Sequence, residues 1–209
     1  MQQNNQNIIR MRKRLFLLLL AFISLCQMNA VERTKLNFNG GWLLKVGDFP
    51  GAEQANYKDA GWKQITLPRA FNEKEAFKVS IEHLSDTIMW YRKHFHIQEV
   101  GDRKYFIEFE GVRFGADIWL NGKKVGYTEN GVMASGFDLT PYIIKGENVI
   151  AVRVDNSWNY RERTSGQRFQ WNDKNFNANY GGIPKNVFLH ITDKLYQTLP
   201  LYNNLKTTG

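Results

Sequence analysis

The stretch "ADIWLNGKKVGY" (Ala116 to Tyr127) decides the fold. Ala116, Ile118 and Leu120 alternate, the period of a strand with one face in a core. Asn121-Gly122 follows at once, the dipeptide that best tolerates the positive φ angles of a tight hairpin turn. The spacing predicts a β-hairpin. On either side the same period recurs in short runs. "YFIEFE" puts Tyr105, Ile107 and Phe109 on one side. "MWYRKHFHI" puts Tyr91, Phe95 and Ile97 on one face and Arg92, His94 and His96 on the other. "NVIAVRVDN" turns Ile150, Val152 and Val154 inward, "VFLHIT" does so with Val187, Leu189 and Ile191, and "WLLKV" (Trp42 to Val46) is short and apolar. No window carries a helical period. Short strands, Gly-rich turns and no βαβ rhythm predict an all-β fold, an antiparallel sandwich of the jelly-roll or immunoglobulin-like kind.

The chain has 209 residues, 43% hydrophobic and 14% aromatic, enough for one globular domain with a sizeable core and too aromatic for a disordered chain. Residues 1–30 read separately. Arg10, Arg12, Lys13 and Arg14 precede the apolar run "LFLLLLAFISL" (Leu15 to Leu25), the pattern of a secretory signal and too short a run to span a bilayer. Cleavage after Ala30 is expected, with Met1 or Met11 as the start. Two readings stand for Cys26, the only cysteine: a lipid-attachment site or an ordinary signal residue. Either way the mature chain has no disulfide and no membrane span, and it is expected at the periplasm or cell surface. Net charge is +8, but the first 30 residues hold four basic residues and no acid, leaving +4. A nucleic-acid role drawn from overall charge is correspondingly weakened.

The segment Asp155 to Gly182 joins two confident strands. Its 28 residues hold six asparagines and six aromatics (Trp158, Tyr160, Phe169, Trp171, Phe176, Tyr180), and no aliphatic residue larger than alanine. Connections this long are usually functional or disordered, and six aromatics argue against disorder. A sugar suits this mix: its C–H faces pack on Trp or Tyr, and its hydroxyls pair with Asn, Asp and Arg. The competing reading is packing of the loop on its own domain or a neighbour.

"EGVRFGADIWLNGKKVGY" (Glu110 to Tyr127), "FDLTPYIIKGENVIAVRVDN" (Phe137 to Asn156), "NYGGIPKNVFLH" (Asn179 to His190) and "WYRKHF" (Trp90 to Phe95) together resemble the N-terminal sugar-binding domain of family 2 glycoside hydrolases, the β-galactosidase and β-glucuronidase group. The resemblance runs from about Leu36 to Asp193. It implies a jelly roll of the galactose-binding-domain type over 31–193. An immunoglobulin-like domain and a catalytic (β/α)8 barrel follow in such enzymes, and residues 194–209 would begin the linker or next domain. It implies that the two catalytic glutamates of a retaining mechanism lie on that barrel, so no catalytic residue, cofactor or metal is assigned to this chain. It also implies that the connection before "GGI" reaches the barrel's active site, with Asp173 as the leading sugar contact, Asn172, Asn175 and Asn177 as alternatives, and Trp171 and Tyr180 as flanking aromatics. Pro184, and the lack of an aromatic and a proline in "NGVMASGFDLT" (Asn130 to Thr140), depart from the family pattern.

Three weaker signals remain. His94 and His96 share a strand face, as a metal pair would. Arg161, Arg163 and Arg168 could bind phosphate or nucleic acid together with the loop aromatics, but Glu162 and Asp173 interrupt them, and no nucleic-acid partner is expected. Glu108 and Glu110 are expected to be solvated rather than catalytic. The reading adopted is the non-catalytic carbohydrate-binding domain of a truncated β-galactosidase-type hydrolase. A free-standing carbohydrate-binding module and a purely structural sandwich are the alternatives. The ending "LYQTLPLYNNLKTTG" favours the first, because it reads as the entrance to another domain.

Overall fold

A computed structural model describes residue 13 and residues 33–70, 86–129, 131, 133–168, 181–194 and 196. The chain divides into two compact units, 1–32 and 33–209, and only Lys13 of the first is described. The second is built of strands: β1 (Thr34–Asn37), β2 (Trp42–Val46), β3 (Lys63–Ile65), β4 (Arg69–Ala70), β5 (Ile88–Ile97), β6 (Arg103–Phe109), β7 (Gly115–Leu120), β8 (Lys123–Thr128), β9 (Ser135–Asp138), β10 (Gly146–Asp155), β11 (Gly182–Ile183) and β12 (Val187–Asp193). They form a six-stranded sheet in the order β3-β2-β5-β10-β7-β8, a four-stranded sheet β1-β12-β6-β9, and a two-stranded ribbon β11-β4. Every pairing among the described residues is antiparallel.

The alternation read from the sequence holds. Ile118, Leu120, Ile150, Val152 and Val154 of the larger sheet meet Tyr105, Ile107, Phe109, Val187 and Leu189 of the smaller one in a single apolar cluster. This is the β-sandwich. Each such side chain, fully buried, contributes about 1.5–3 kcal/mol. The hairpin turn is where the dipeptide put it, with Asn121 at φ 52° and Gly122 at φ 78°. Asn121 also braces the neighbouring strand: its Oδ1 accepts from the Val149 N–H at 2.9 Å, and its Nδ2 donates to Asn148 Oδ1 at 2.9 Å.

The outer face of the larger sheet is itself covered. Ala52 and Trp62, from the segment between β2 and β3, pack on Trp90 and Ala151, with Phe49, Tyr57 and Trp119 around them. Arg92 belongs to that face, as its alternation said, yet it is wholly buried. Its guanidinium donates to Asp59 Oδ2 at 2.7 Å, to the Ala52 carbonyl and to the Gln54 carbonyl at 3.0 Å. A buried cation needs such a shell, because an unmet charge out of water is costly.

One expectation fails here. Glu108 is not solvated: it is 2% exposed, and its Oε2 lies 2.6 Å from His190 Nε2 and 3.3 Å from Lys35 Nζ. The His190 hydrogen bond, aided by Lys35 and against the effect of burial, holds its carboxyl below the usual range. Glu110 instead accepts from Asn186 Nδ2 at 2.8 Å. The two carboxylates therefore serve separate structural pairs.

Candidate functional site

The long connection is rooted at one end of the larger sheet. There Asp155, at the end of β10, lies between Ile88 at the start of β5 and Gly115 at the start of β7, and Thr128 closes β8 beside Ala116. The connection leaves Asp155 through a turn in which the Ser157 N–H and hydroxyl both donate to Asp155 Oδ1, at 3.0 and 2.6 Å. The Trp158 N–H donates to Asp86 Oδ1 at 2.8 Å. A small hairpin follows. Arg161 bridges Arg168, the Gly166 N–H donates to the Glu162 carbonyl at 2.8 Å, and the Glu162 N–H to the Gln167 carbonyl at 3.0 Å.

Two carboxylates of the β7–β8 hairpin hold this piece. Glu129 Oε1 accepts from the Tyr160 hydroxyl at 2.6 Å and from the Arg163 N–H at 2.7 Å. Asp117 receives the two-pronged fork of Arg163, at 2.8 and 2.5 Å, together with Lys124 at 2.7 Å. Paired N–H donors in that fork give geometry as well as energy. Burial alone would raise the Asp117 carboxyl; the Arg163 and Lys124 hydrogen bonds outweigh it and hold it below the usual range. The Asp117 hydrogen bond in turn raises Arg163. Burial, then the bond to Glu129, pushes the Tyr160 phenol up. Arg163 also lies over the Tyr127 ring, 4.7 Å from its centroid.

The far end of the connection returns to the same place. Gly182 pairs with Ala70 in the β11–β4 ribbon and exchanges both backbone hydrogen bonds with Arg113, at 2.8 and 2.7 Å. Arg113 stands two residues before β7, and its side chain passes 3.2 Å from where a Cβ on Gly131 would be. Entry and exit of the connection are thus tied to one end of the sandwich.

The residues singled out for sugar contact, Trp171, Asn172, Asp173, Asn175, Asn177 and Tyr180, lie outside the described residues. The flanking network of Glu129, Tyr160, Asp117 and Arg163 did not emerge as a unit from the sequence. Its one local signal is Asp117, a carboxylate within the otherwise apolar "ADIWL". All three arginines considered for phosphate are engaged within the domain: Arg163 on Asp117, Arg168 on the Trp158 carbonyl at 2.8 and 3.0 Å, and Arg161 on the Gly166 carbonyl at 3.0 Å.

His94 is engaged as well. Its Nε2 lies 2.8 Å from Asp59 Oδ2 and its Nδ1 2.7 Å from Glu147 Oε1. Burial would lower its pKa; the two carboxylates outweigh that and raise it. The pairing of His94 with His96 gives way to this carboxylate bridge. Among the described residues no group of three or more His, Cys, Asp or Glu is placed to hold a metal ion, and no helix is long and apolar enough to cross a membrane.

Residues 32–190 match the family described as glycosyl hydrolase 2 galactose-binding domain-like. A β-glucuronidase of Formosa agariphila is 41% identical over 189 residues, which cover 85% of this chain and 19% of that protein. A β-galactosidase of Bacteroides ovatus is 33% identical over 133 residues, covering 60% of this chain and 16% of that protein. Among solved structures, a β-glucuronidase from glycoside hydrolase family 2 superposes with a TM-score of 0.69 at 38% identity, over 87% of this chain and 20% of that one. The chain thus spans about a fifth of the length of the relatives it matches.

Proposed function

The chain belongs to the glycosyl hydrolase 2 galactose-binding domain-like family, and from that premise we propose that it is the non-catalytic, carbohydrate-facing domain of a larger β-glycosidase. The observation that carries this reading is the long connection. A segment of hydrogen-bonding side chains and aromatics leaves and re-enters one end of the sandwich, and both of its ends are tied down by hydrogen bonds. Such an arrangement presents polar groups to a ligand from a rigid frame.

In this reading Asp173, with Asn172, Asn175 and Asn177 beside it, offers donors and acceptors to sugar hydroxyls, and Trp171 and Tyr180 offer ring faces to C–H surfaces. A (β/α)8 barrel outside this chain supplies the glutamate acid/base and the glutamate nucleophile of a retaining hydrolysis. The sugar is a β-galactoside or, following the relatives named above, a β-glucuronide. We further propose export, with residues 1–30 as a signal; N-terminal sequencing of secreted material should then begin near Val31, or at a lipidated Cys26, rather than at Met1.

Titration of the purified chain with galactose and with glucuronate tests the proposal. Binding at about millimolar strength is expected, because one wall of a site captures only part of the contact energy. Nitrophenyl β-galactoside and β-glucuronide should remain uncleaved above a mock purification. Turnover by the chain itself would overturn the non-catalytic assignment, and the absence of any binding would overturn the carbohydrate-facing one.

A further inference from the structure

We propose that Asn121 is a site of spontaneous deamidation, that opening of the β7–β8 turn sets its rate, and that the turn cannot close as before once the amide is lost.

The chemistry lies in the same dipeptide that makes the turn. In an Asn-Gly pair the glycine nitrogen has no side chain beside it and can add to the asparagine Cγ. The proton of that N–H leaves with the side-chain nitrogen as ammonia, and a succinimide ring remains. Water opens the ring at either carbonyl, giving aspartate or isoaspartate without any oxidant or reductant. Ring closure requires the side-chain amide to turn onto the following nitrogen. In the folded hairpin the Asn121 amide is held at both of its atoms. Oδ1 accepts from the Val149 N–H at 2.9 Å, and Nδ2 donates to Asn148 Oδ1 at 2.9 Å and to the Tyr142 carbonyl at 3.0 Å. The Asn121 N–H donates to the Val149 carbonyl at 2.9 Å. The amide is released only when the turn lifts away from β10.

That opening is local. Among the described strands β8 is the outermost of the larger sheet on its side. Asn121 and Gly122 are partly exposed, and Lys123 is exposed. Asn39-Gly40 supplies an internal comparison. Asn39 Oδ1 accepts from the Val187 N–H at 2.8 Å and its Nδ2 donates to Asn186 Oδ1 at 3.0 Å. Asn39 is buried, however, and Phe38 and Trp42 on either side of this pair belong to the main apolar cluster. Its release requires the sandwich itself to open.

The product does not fit the turn. A carboxylate still accepts from the Val149 N–H but has nothing to donate. It faces the Asn148 oxygen and the Tyr142 carbonyl, acceptor against acceptor. Asn148 cannot turn to offer a donor: it is fully buried, its Oδ1 accepts from the Ile144 N–H at 2.9 Å, and its Nδ2 donates to the Ile144 and Gly146 carbonyls at 2.7 and 3.1 Å. Isoaspartate also adds a backbone carbon to a two-residue turn.

Incubation of the whole chain in mildly alkaline buffer, folded and in urea, tests this, with peptide mass spectrometry and isoaspartate methyltransferase labelling as readouts. In the folded protein Asn121 should be modified about tenfold faster than Asn39, and about tenfold or more slower than in urea, where the two sites become comparable. The modified protein carries one additional negative charge, so ion exchange isolates it without any substitution. In that form the Ile144 and Val149 amides should exchange about tenfold faster, the scale of one lost hydrogen bond, while β12 stays protected. Equal rates at Asn121 and Asn39 in the folded protein, no modification of folded Asn121, or the same Asn121 rate with and without urea would overturn the gating by the turn. Unchanged protection of Ile144 and Val149 after modification would overturn the claim that the turn cannot re-form.

Discussion

Tyr160 occupies the space that a side chain on Gly115 would need: a Cβ there would fall 2.1 Å from Tyr160 Cζ and 2.2 Å from its hydroxyl oxygen. The glycine is thus required by close approach. Gly115→Ala should cost about 1–3 kcal/mol, the scale of overpacking a fitted site. In a Tyr160→Ala background the same change should cost far less, because the two positions share one volume. Urea midpoints around the double-mutant cycle check this; strict additivity would mean that the ring does not sit where it is described.

The strand register read from the hairpin makes a second contrast. Ile118 is fully buried on the core face of β7, so Ile118→Ala should lose about 2–5 kcal/mol. Lys123, next to the turn, is exposed, and Lys123→Ala should stay within about 0.5 kcal/mol. Equal shifts of the two urea midpoints would refute the register.

His94 gives a pH dependence with a definite sign. A neutral imidazole can donate from only one nitrogen, so the Asp59–His94–Glu147 bridge favours the cation. Its folded pKa is raised despite the opposing effect of burial. The bridge's contribution is therefore fully present below the unfolded histidine value, about 6.5, and is lost as pH rises through the higher folded value. Wild type should lose stability relative to His94→Phe as pH rises above about 6.5, the unfolded histidine value. The groups facing His94 also include Arg92, whose positive charge opposes the raised pKa. A difference between the two proteins that stays constant over that range would contradict the assignment.

The sandwich was legible because alternation reports directly which side of a strand faces the core. Ile118, Ile150 and Leu189 needed nothing more. Alternation does not report what covers the opposite face. Arg92 was placed on the correct side, but its burial depends on Ala52, Gln54 and Asp59, residues 33 to 40 positions away in the chain. Glu108 was misjudged for the same reason, since its partner His190 lies 82 positions off. The long connection announced itself by composition, through asparagines and aromatics without aliphatic neighbours. Its anchor did not: Glu129 and Tyr160 are 31 positions apart, and no local pattern joins a strand-end glutamate to a tyrosine in a later turn.

The central claim is that residues 171–180 of a non-catalytic domain meet a carbohydrate. Residue-resolved amide chemical shifts of the chain, followed through a titration with galactose and with glucuronate, test it most directly, because weak binding is where this measurement is strongest. The account predicts saturable shifts concentrated on residues 171–180, abolished by Asp173→Ala, with the strands of both sheets unmoved. Saturable shifts that avoid this segment, or none with either sugar up to the millimolar range expected of half a site, would contradict it.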